Sequence, residues 1–115
     1  MIFETHAHYD DKMFDEDRES LLESMQEAGI GRIVNIGADL ASTASSIALA
    51  EKYPFIYAAA GVHPSDAAQL NEHTFQWLSE QTAHEKVVAV GEIGLDYYWE
   101  KDPEVRANQR YWFRR

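Results

Sequence analysis

Two histidines near the N-terminus have the residue type and spacing of a metal-binding pair. His6 and His8 stand at alternate positions at the end of a run that predicts a β-strand over residues 2–8. Because side chains alternate between the two faces of a strand, both imidazoles are expected on one face, together with Glu4. Neutral imidazole nitrogens are common ligands of divalent cations. The pair indicates a metal site, although two unrelated polar side chains at a strand end would give the same pattern.

A carboxylate takes the corresponding position after another predicted strand. Glu92 follows the apolar run at residues 86–90 and shares the strand face of Val88 and Val90. Its two oxygens can each bind one cation, so Glu92 is a candidate metal ligand and catalytic residue. Gly91 and Gly94 would let the backbone turn closely around such a site. The alternative interpretation is an ordinary glutamate in a turn.

A third polar side chain follows the strand predicted over residues 55–62. His63 lies in the sequence Gly61-Val62-His63-Pro64. At the end of a strand its imidazole could hydrogen-bond a phosphate or a metal-bound water, which makes it a candidate substrate-binding residue. A histidine that caps or packs a loop would have the same local sequence.

The elements that must position these residues alternate along the chain. Strands are predicted over residues 2–8, 32–37, 55–62 and 86–90, helices over 14–28, 39–52, 71–83 and from 102 onward, and a loop over 63–69. This order predicts an α/β fold with a parallel sheet and right-handed crossovers. Apolar residues on both faces of the fourth strand predict that both of its faces are covered.

The spacing of the strands leaves two architectures open. Successive strands begin about 28 residues apart, so eight βα units would need about 220 residues, within the usual range of a (β/α)₈ TIM barrel. The chain has 115 residues. It is therefore either an open four-stranded α/β domain or the first four βα units of a barrel.

Composition limits the partners and the location. Twenty acidic and ten basic side chains give a formal charge of −10. No broad basic groove for nucleic acid is visible, so an acidic substrate would need help from a bound cation. No apolar run reaches the roughly 20 residues that span a bilayer, and charged residues interrupt the N-terminus where a signal peptide would be apolar. With no cysteine, the sequence fits a reducing compartment, and we predict a cytoplasmic protein.

The three tryptophans are predicted to pack against other side chains rather than to form a platform for nucleic-acid bases. They are Trp77, Trp99 and Trp112.

The motifs together resemble one family. Thr5-His6-Ala7-His8, Asn35-Ile36-Gly37, Gly61-Val62-His63-Pro64 and Gly91-Glu92-Ile93-Gly94-Leu95-Asp96-Tyr97, with Gln109 further on, resemble the N-terminal half of the TatD-related metal-dependent hydrolases. The resemblance implies a (β/α)₈ barrel of which residues 1–115 are the N-terminal half. It also implies a deoxyribonuclease of the 3′-exonuclease type, with DNA as its substrate.

The resemblance further implies the roles of the site residues. His6 and His8 would bind a first divalent cation, and Glu92 would bridge it to a second; Mg, Mn and Zn all suit such a site. The family draws two further His ligands and one Asp from later strands. Two cations would assist the attack of water on a phosphodiester. The 115-residue chain alone is then expected to be inactive or nearly so. Glu4 departs from the family, in which Asp is more usual at this position.

Two alternatives stay open. A His-x-His pair at the end of a first strand also begins barrels of the amidohydrolase type, which act on small amides or esters. The chain could also be a non-catalytic half-barrel that self-associates through the open edges of its sheet.

Overall fold

Four parallel strands and four α-helices alternate along the chain in a computed structural model that describes residues 1–115. The strands are β1 (Ile2–Ala7), β2 (Ile30–Ile36), β3 (Ile56–Ala60) and β4 (Val87–Val90). The helices are α1 (Arg18–Ser24), α2 (Leu40–Lys52), α3 (Glu72–Gln81) and α4 (Pro103–Arg114). The predicted α/β order is confirmed.

The strands form one sheet in the order β1-β2-β3-β4, and every neighbouring pair is parallel. Ile33 of β2 pairs with Ile56 of β3, and Ala60 at the end of β3 pairs with Val90 at the end of β4. The carboxyl ends of all four strands therefore meet at one edge of the sheet. This is the edge that carries the candidate residues.

The main core lies between the sheet and the first two helices. Its fully buried members include Leu22 of α1, Ile33 of β2 and Ile56 of β3. The complete cluster is Ala7, Leu22, Met25, Ile33, Ile47, Ala50, Tyr53, Ile56 and Ala58. Burial of branched aliphatic side chains of this kind is the dominant favourable term in folding. The core thus fixes β1, β2 and β3 relative to one another.

Side-chain caps set the starts of the helices. Asp39 accepts from the backbone N–H of Ser42, whose hydroxyl accepts in return from the N–H of Asp39, so α2 begins with a reciprocal capping box. Asp102 accepts from the N–H of Glu104, and Pro103 takes the first helical position of α4. Both starts agree with the helices predicted from residues 39 and 102 onward.

The first predicted helix is shorter than the sequence pattern indicates. A short 3₁₀ helix over Lys12–Phe14 and a turn precede α1, which runs only from Arg18 to Ser24. The guanidinium of Arg18 donates to the carbonyls of Tyr9, Asp10 and Asp11 and so holds this segment as a loop. Gly29, with φ +87°, ends the connection to β2 in the left-handed conformation that glycine favours.

Other boundaries also differ from the prediction. Residues 63–69 were expected to be a loop, but Pro64–Gln69 form a 3₁₀ helix that begins at His63. The strand β1 ends at Ala7, so His8 lies just beyond it.

The expectation that both faces of the fourth strand are covered is wrong for these 115 residues. Val88 is 54% exposed and Val90 is 59% exposed. The reason is that β4 is an edge strand and α4 packs mainly against the 3₁₀ helix Pro64–Gln69 rather than over β4. This end of the sheet is consequently open.

Candidate metal centre

The first two candidate ligands converge at the carboxyl end of β1. The Nε2 atoms of His6 and His8 lie 3.2 Å apart. Two nitrogens that bind one Zn²⁺-like cation at about 2.0–2.1 Å, with an angle of about 100° between them, have this separation. The pair is accessible, since the side chains of His6 and His8 are 54% and 42% exposed. The donor chemistry and spacing both fit one divalent cation.

The tautomer of His8 is set by the neighbouring strand. Its Nδ1 lies 3.1 Å from the carbonyl oxygen of Ile36 at the end of β2. Because a carbonyl only accepts, Nδ1 must carry the proton, and a neutral His8 then has a free lone pair on Nε2. A hydrogen bond of this kind orients a metal-binding imidazole and increases its basicity. β2 therefore prepares His8 to bind a cation through Nε2.

Glu92 completes a three-residue cluster. One carboxylate oxygen, Oε2, lies 3.9 Å from Nε2 of His6 and 4.0 Å from Nε2 of His8. The candidate ligand atoms of the three residues all lie within 4.8 Å of one another. A cation bound by the two imidazoles would attract the negatively charged carboxylate of Glu92.

The other oxygen of Glu92 faces His63. Its Oε1 lies 3.9 Å from Nε2 of His63. The Nδ1 atom of His63 accepts from the backbone N–H of Ser65, 3.1 Å away, so a neutral His63 carries its proton on Nε2. That N–H donor points to the same space as the Glu92 carboxylate. The structure thus brings all four candidate side chains to one place.

Contacts with the ends of β2 and β3 hold the backbone at Glu92. The N–H of Glu92 donates to the carbonyl of Gly37, 2.6 Å away, and the N–H of Gly91 donates to the carbonyl of Ala60. A Cβ on Gly61 would collide with the carbonyl group of Gly91 and would lie only 2.8 Å from the nitrogen of Glu92. Glu92 reaches the cluster because Gly61 has no side chain.

A buried hydroxyl fixes Gly61 in turn. Thr43 of α2 is completely buried; its Oγ1 donates to the carbonyl of Gly61 and lies 3.2 Å from the Gly61 N–H. The sequence pattern assigns no role to either residue, although a glycine directly before Val-His-Pro is a signal for a close backbone approach.

Asn35 secures the segment that follows the histidines. Its side chain is fully buried, accepts from the backbone N–H of Tyr9, and donates to Asp10 and to Ser46 of α2. Every polar atom of this amide is paired. In the sequence Asn35 is part of a family motif, and the structure makes it an anchor for the segment after His8.

Burial, and the nearby Glu4 carboxylate, raise the pKa of the Tyr9 phenol above its usual value of 10.0. Tyr9 is therefore uncharged at neutral pH, and the anionic groups near the histidines are carboxylates.

Gln109 of α4 anchors the loop after Glu92, as Asn35 anchors the segment after His8. It is 2% exposed; its Oε1 accepts from the N–H of Asp96, and its Nε2 donates to the carbonyl of Asp96. This pair of bonds attaches the loop that begins at Glu92 to α4.

The prediction that the three tryptophans pack is wrong for one of them. Trp99, in the loop after Glu92, is 80% exposed, whereas Trp77 and Trp112 are partly buried. The ring centroids of Trp112 and Phe75 lie 5.5 Å apart, and this contact joins α4 to α3.

A parallel α/β sheet that presents two imidazoles and a carboxylate at its carboxyl edge has the architecture and donor set of a metal-dependent hydrolase. A sequence model of the family described as TatD related DNase matches residues 3–115. The chain belongs to this family.

Similar proteins agree with this assignment. The metal-dependent hydrolase YabD of Bacillus subtilis, described as uncharacterized, is 44% identical over 104 residues, which are 90% of this chain and 41% of YabD. The 3′-5′ ssDNA/RNA exonuclease TatD of Pectobacterium carotovorum is 31% identical over 97 residues, 84% of this chain and 37% of that enzyme.

A solved structure confirms the fold. The crystal structure of YjjV, a TatD homologue from Escherichia coli K12, superposes with a TM-score of 0.84 and 34% identity over 98% of this chain and 44% of YjjV. The four βα units therefore match those of the family's TIM barrel. The chain spans less than half the length of these relatives.

None of the helices combines the length and the apolar composition that crossing a bilayer requires.

Proposed function

We propose that residues 1–115 are the N-terminal half of a metal-dependent nuclease that removes nucleotides from the 3′ end of nucleic acid. The convergence of the ligand atoms of His6, His8 and Glu92 within 4.8 Å carries this proposal. His6 and His8 would hold the first cation, and Glu92 would hold it with them and share it with a second cation.

Two divalent cations supply the orientation of the phosphate, the activation of water and the stabilisation of the leaving oxygen. The chain's own residues prepare for this chemistry. The hydrogen bond of His8 to Ile36 fixes a free Nε2 lone pair, and Gly61 admits the backbone of Glu92.

His63 is the substrate-binding residue of the proposal. With Nδ1 occupied by the Ser65 N–H, its Nε2–H is available as a donor to a phosphate oxygen. The same tautomer serves whether His63 touches the phosphate directly or a water that lies against it.

The charge of the chain is compatible with this substrate only if cations are present. A formal charge of −10 repels a polyanion, and bound divalent cations provide the local positive charge. The exonuclease name of the Pectobacterium relative supports nucleic acid as the substrate. Because this chain corresponds to 37% of that enzyme, we expect the 115 residues alone to be inactive or nearly so.

The test compares the chain with a chimaera in which residues 1–115 replace the matching part of the Pectobacterium exonuclease. End-labelled single-stranded DNA, RNA and duplex DNA are incubated with Mg²⁺, Mn²⁺ or Zn²⁺, with and without EDTA. We expect EDTA-sensitive shortening from the 3′ end by the chimaera, almost none by the 115-residue chain, and at least a 100-fold loss in the Glu92→Gln chimaera.

Three outcomes contradict the proposal. A folded, metal-loaded chimaera that hydrolyses small amides but no oligonucleotide supports the amidohydrolase alternative. A chimaera that hydrolyses neither class contradicts both, and rapid hydrolysis by the 115-residue chain contradicts its expected inactivity.

A second proposal concerns the isolated chain. The exposed Val88 and Val90 and the unpaired edges of β1 and β4 favour association of two copies. Sedimentation velocity should then show a species above 13.2 kDa that Val88→Lys shifts toward the monomer. A stable monomer at high concentration contradicts self-association.

The cytoplasmic location remains a prediction, which fractionation of the source cells would test.

A further inference from the structure

Two adjacent aromatic side chains are exposed to solvent on the loop that connects Glu92 to α4. Tyr98 is 74% exposed and Trp99 is 80% exposed. Their centroids lie 4.8 Å apart with the ring planes at 89°. An edge-to-face pair of this kind leaves the broad face of at least one ring uncovered. Nothing in the core requires these two side chains.

The backbone under the rings is firmly held. Oδ1 of Asp96 accepts from the N–H groups of both Tyr98 and Trp99, each at 3.1 Å. Asp96 is itself attached to the buried amide of Gln109 through both its N–H and its carbonyl. The rings are thus presented from a fixed backbone rather than from a loose one, which lowers the entropy lost when they bind a partner.

The same segment is tied to α4 by a guanidinium. Arg106 donates to the carbonyls of Tyr97 and Glu100, and its guanidinium lies 4.5 Å from the centroid of the Tyr97 ring. Six hydrogen bonds of the side chains of Asp96, Arg106 and Gln109 therefore hold the backbone of the loop, although its aromatic side chains are exposed.

A lysine lies beside the aromatic pair. The Nζ of Lys101 lies 5.8 Å from the Tyr98 ring centroid. Lys101 thus places a positive charge next to the exposed rings, which suits a partner that combines flat rings with phosphates.

The rings are also within reach of the candidate metal centre. Tyr98 follows Glu92 by six residues, so at most about 22 Å of extended chain separates them. A strand of nucleic acid with its end at Glu92 would pass over this distance within a few nucleotides.

We propose that Tyr98 and Trp99 form a stacking site for an unpaired base of single-stranded nucleic acid whose 3′ end occupies the metal centre. Every base has a flat π-face, so the site accepts any sequence. A paired base in a duplex has its faces covered by its neighbours and is not available. The proposal rests on the proposed nuclease function and adds a reason for the choice of single strands as substrate.

The experiment measures binding of two fluorescein-labelled ten-nucleotide strands to the chain by anisotropy, in the presence of the divalent cation. One strand is oligo-dT, and the other is an abasic strand with the same phosphates. We expect Trp99→Ala to weaken oligo-dT binding about tenfold, the magnitude of one lost base stack, and to change abasic binding by less than about twofold.

Two variants serve as controls. Trp99→Phe keeps a flat ring and should bind oligo-dT within about threefold of the parent chain. Phe113→Ala removes another exposed aromatic that lies ten residues into α4, about 15 Å along the helix from Pro103, and should bind as the parent does.

The outcomes separate this proposal from the nuclease function. No binding of oligo-dT, equal binding of both strands by the parent chain, or equal weakening of both by Trp99→Ala, overturns the stacking site. Hydrolysis of oligo-dT is measured separately in the chimaera that carries residues 1–115. Base-dependent binding without hydrolysis there contradicts the nuclease function alone, and hydrolysis unaffected by Trp99→Ala contradicts the stacking site alone.

Discussion

The middle and the end of the sheet differ sharply in burial, although the end strand β4 consists only of apolar residues. Ile33 of β2 and Ile56 of β3 are completely buried, whereas Val88 and Val90 of β4 are more than half exposed. The difference arises because α1 and α2 cover the middle strands, while β4 has a neighbour on one side only. Burial is therefore decided by what packs against a strand and cannot be read from its composition alone.

The candidate metal centre spans these two regions. Ile36, at the end of buried β2, orients His8 through its carbonyl, and Glu92 follows exposed β4. The bonds of Glu92 to Gly37 and of Gly91 to Ala60 join the exposed strand to the buried ones. We infer that the rigid middle of the sheet fixes the geometry of the site, and that Glu92 depends on a few backbone contacts with it.

The largest expected effect tests the difference in burial directly. Ile33→Ala should lower the free energy of unfolding by about 2–5 kcal/mol, since it opens a cavity in the closed core. Val88→Ala should change it by no more than about 0.5 kcal/mol because the side chain is already exposed. Urea unfolding followed by circular dichroism measures both, and similar losses in the two variants would contradict the difference.

The next effect concerns the contact between the two regions. Gly61→Ala should destabilise the chain by about 1–3 kcal/mol and weaken metal binding at least tenfold, because its Cβ would displace the backbone of Glu92. Gly91→Ala is the matched control. The nearest atom to its Cβ would be 3.9 Å away, so we expect little change in stability. Unchanged metal affinity in Gly61→Ala would show that this contact does not position Glu92.

A smaller effect is expected within the buried region. Asn35→Ala leaves the N–H of Tyr9 and the hydroxyl of Ser46 without this partner and should cost about 1–2 kcal/mol. Asn108→Ala removes only a 3.4 Å contact with the carbonyl of Ala67 and should cost less than about 0.5 kcal/mol. Thermal unfolding of the two variants side by side provides the measurement. Equal melting temperatures would mean that the Asn35 network adds no stability.

The smallest effect depends on pH. The hydrogen bond from Arg115 holds the pKa of the Glu72 carboxyl below its ordinary value of 4.5 and links α3 to α4. Because the folded pKa lies below the unfolded one, the stabilisation is complete above the unfolded pKa and is lost as pH falls through the folded pKa.

Glu72→Gln should therefore make the loss of stability shallower as pH falls below about 5. Glu27→Gln, at an exposed carboxylate before β2, should not. Glu72 and Arg115 are both solvent-exposed, so Glu72→Gln should change the free energy of unfolding at pH 7 less than Ile33→Ala, Gly61→Ala or Asn35→Ala does. If the free energy of unfolding of Glu72→Gln and of the unaltered chain changed with pH in parallel, the pair of Glu72 and Arg115 would contribute nothing to stability.

Most of the fold could be predicted because its signals are local and periodic. Apolar runs marked the four strands, and Asp39 and Asp102 marked the starts of α2 and α4. A parallel order places the carboxyl ends of the strands at one edge of the sheet, and the structure brings His6, His8, His63 and Glu92 together there.

What could not be predicted depends on contacts between distant residues. The helix expected over residues 14–28 is interrupted because Arg18 binds carbonyls of the preceding loop. The role of Gly61 depends on the approach of Gly91 across the sheet, and the exposure of Trp99 depends on the absence of any element over its loop. A sequence pattern reports the preference of a segment but not which partner it meets.

The most direct test of the central claim is the metal content of the purified chain. Equilibrium dialysis against Zn²⁺ or Mn²⁺, followed by elemental analysis, should find at least one bound cation per chain in the parent protein and almost none in His6→Ala/His8→Ala. The double variant His73→Ala/His84→Ala removes the same number of imidazoles elsewhere and should bind as the parent does. Equal metal in all three proteins would contradict the assignment of His6 and His8 as ligands.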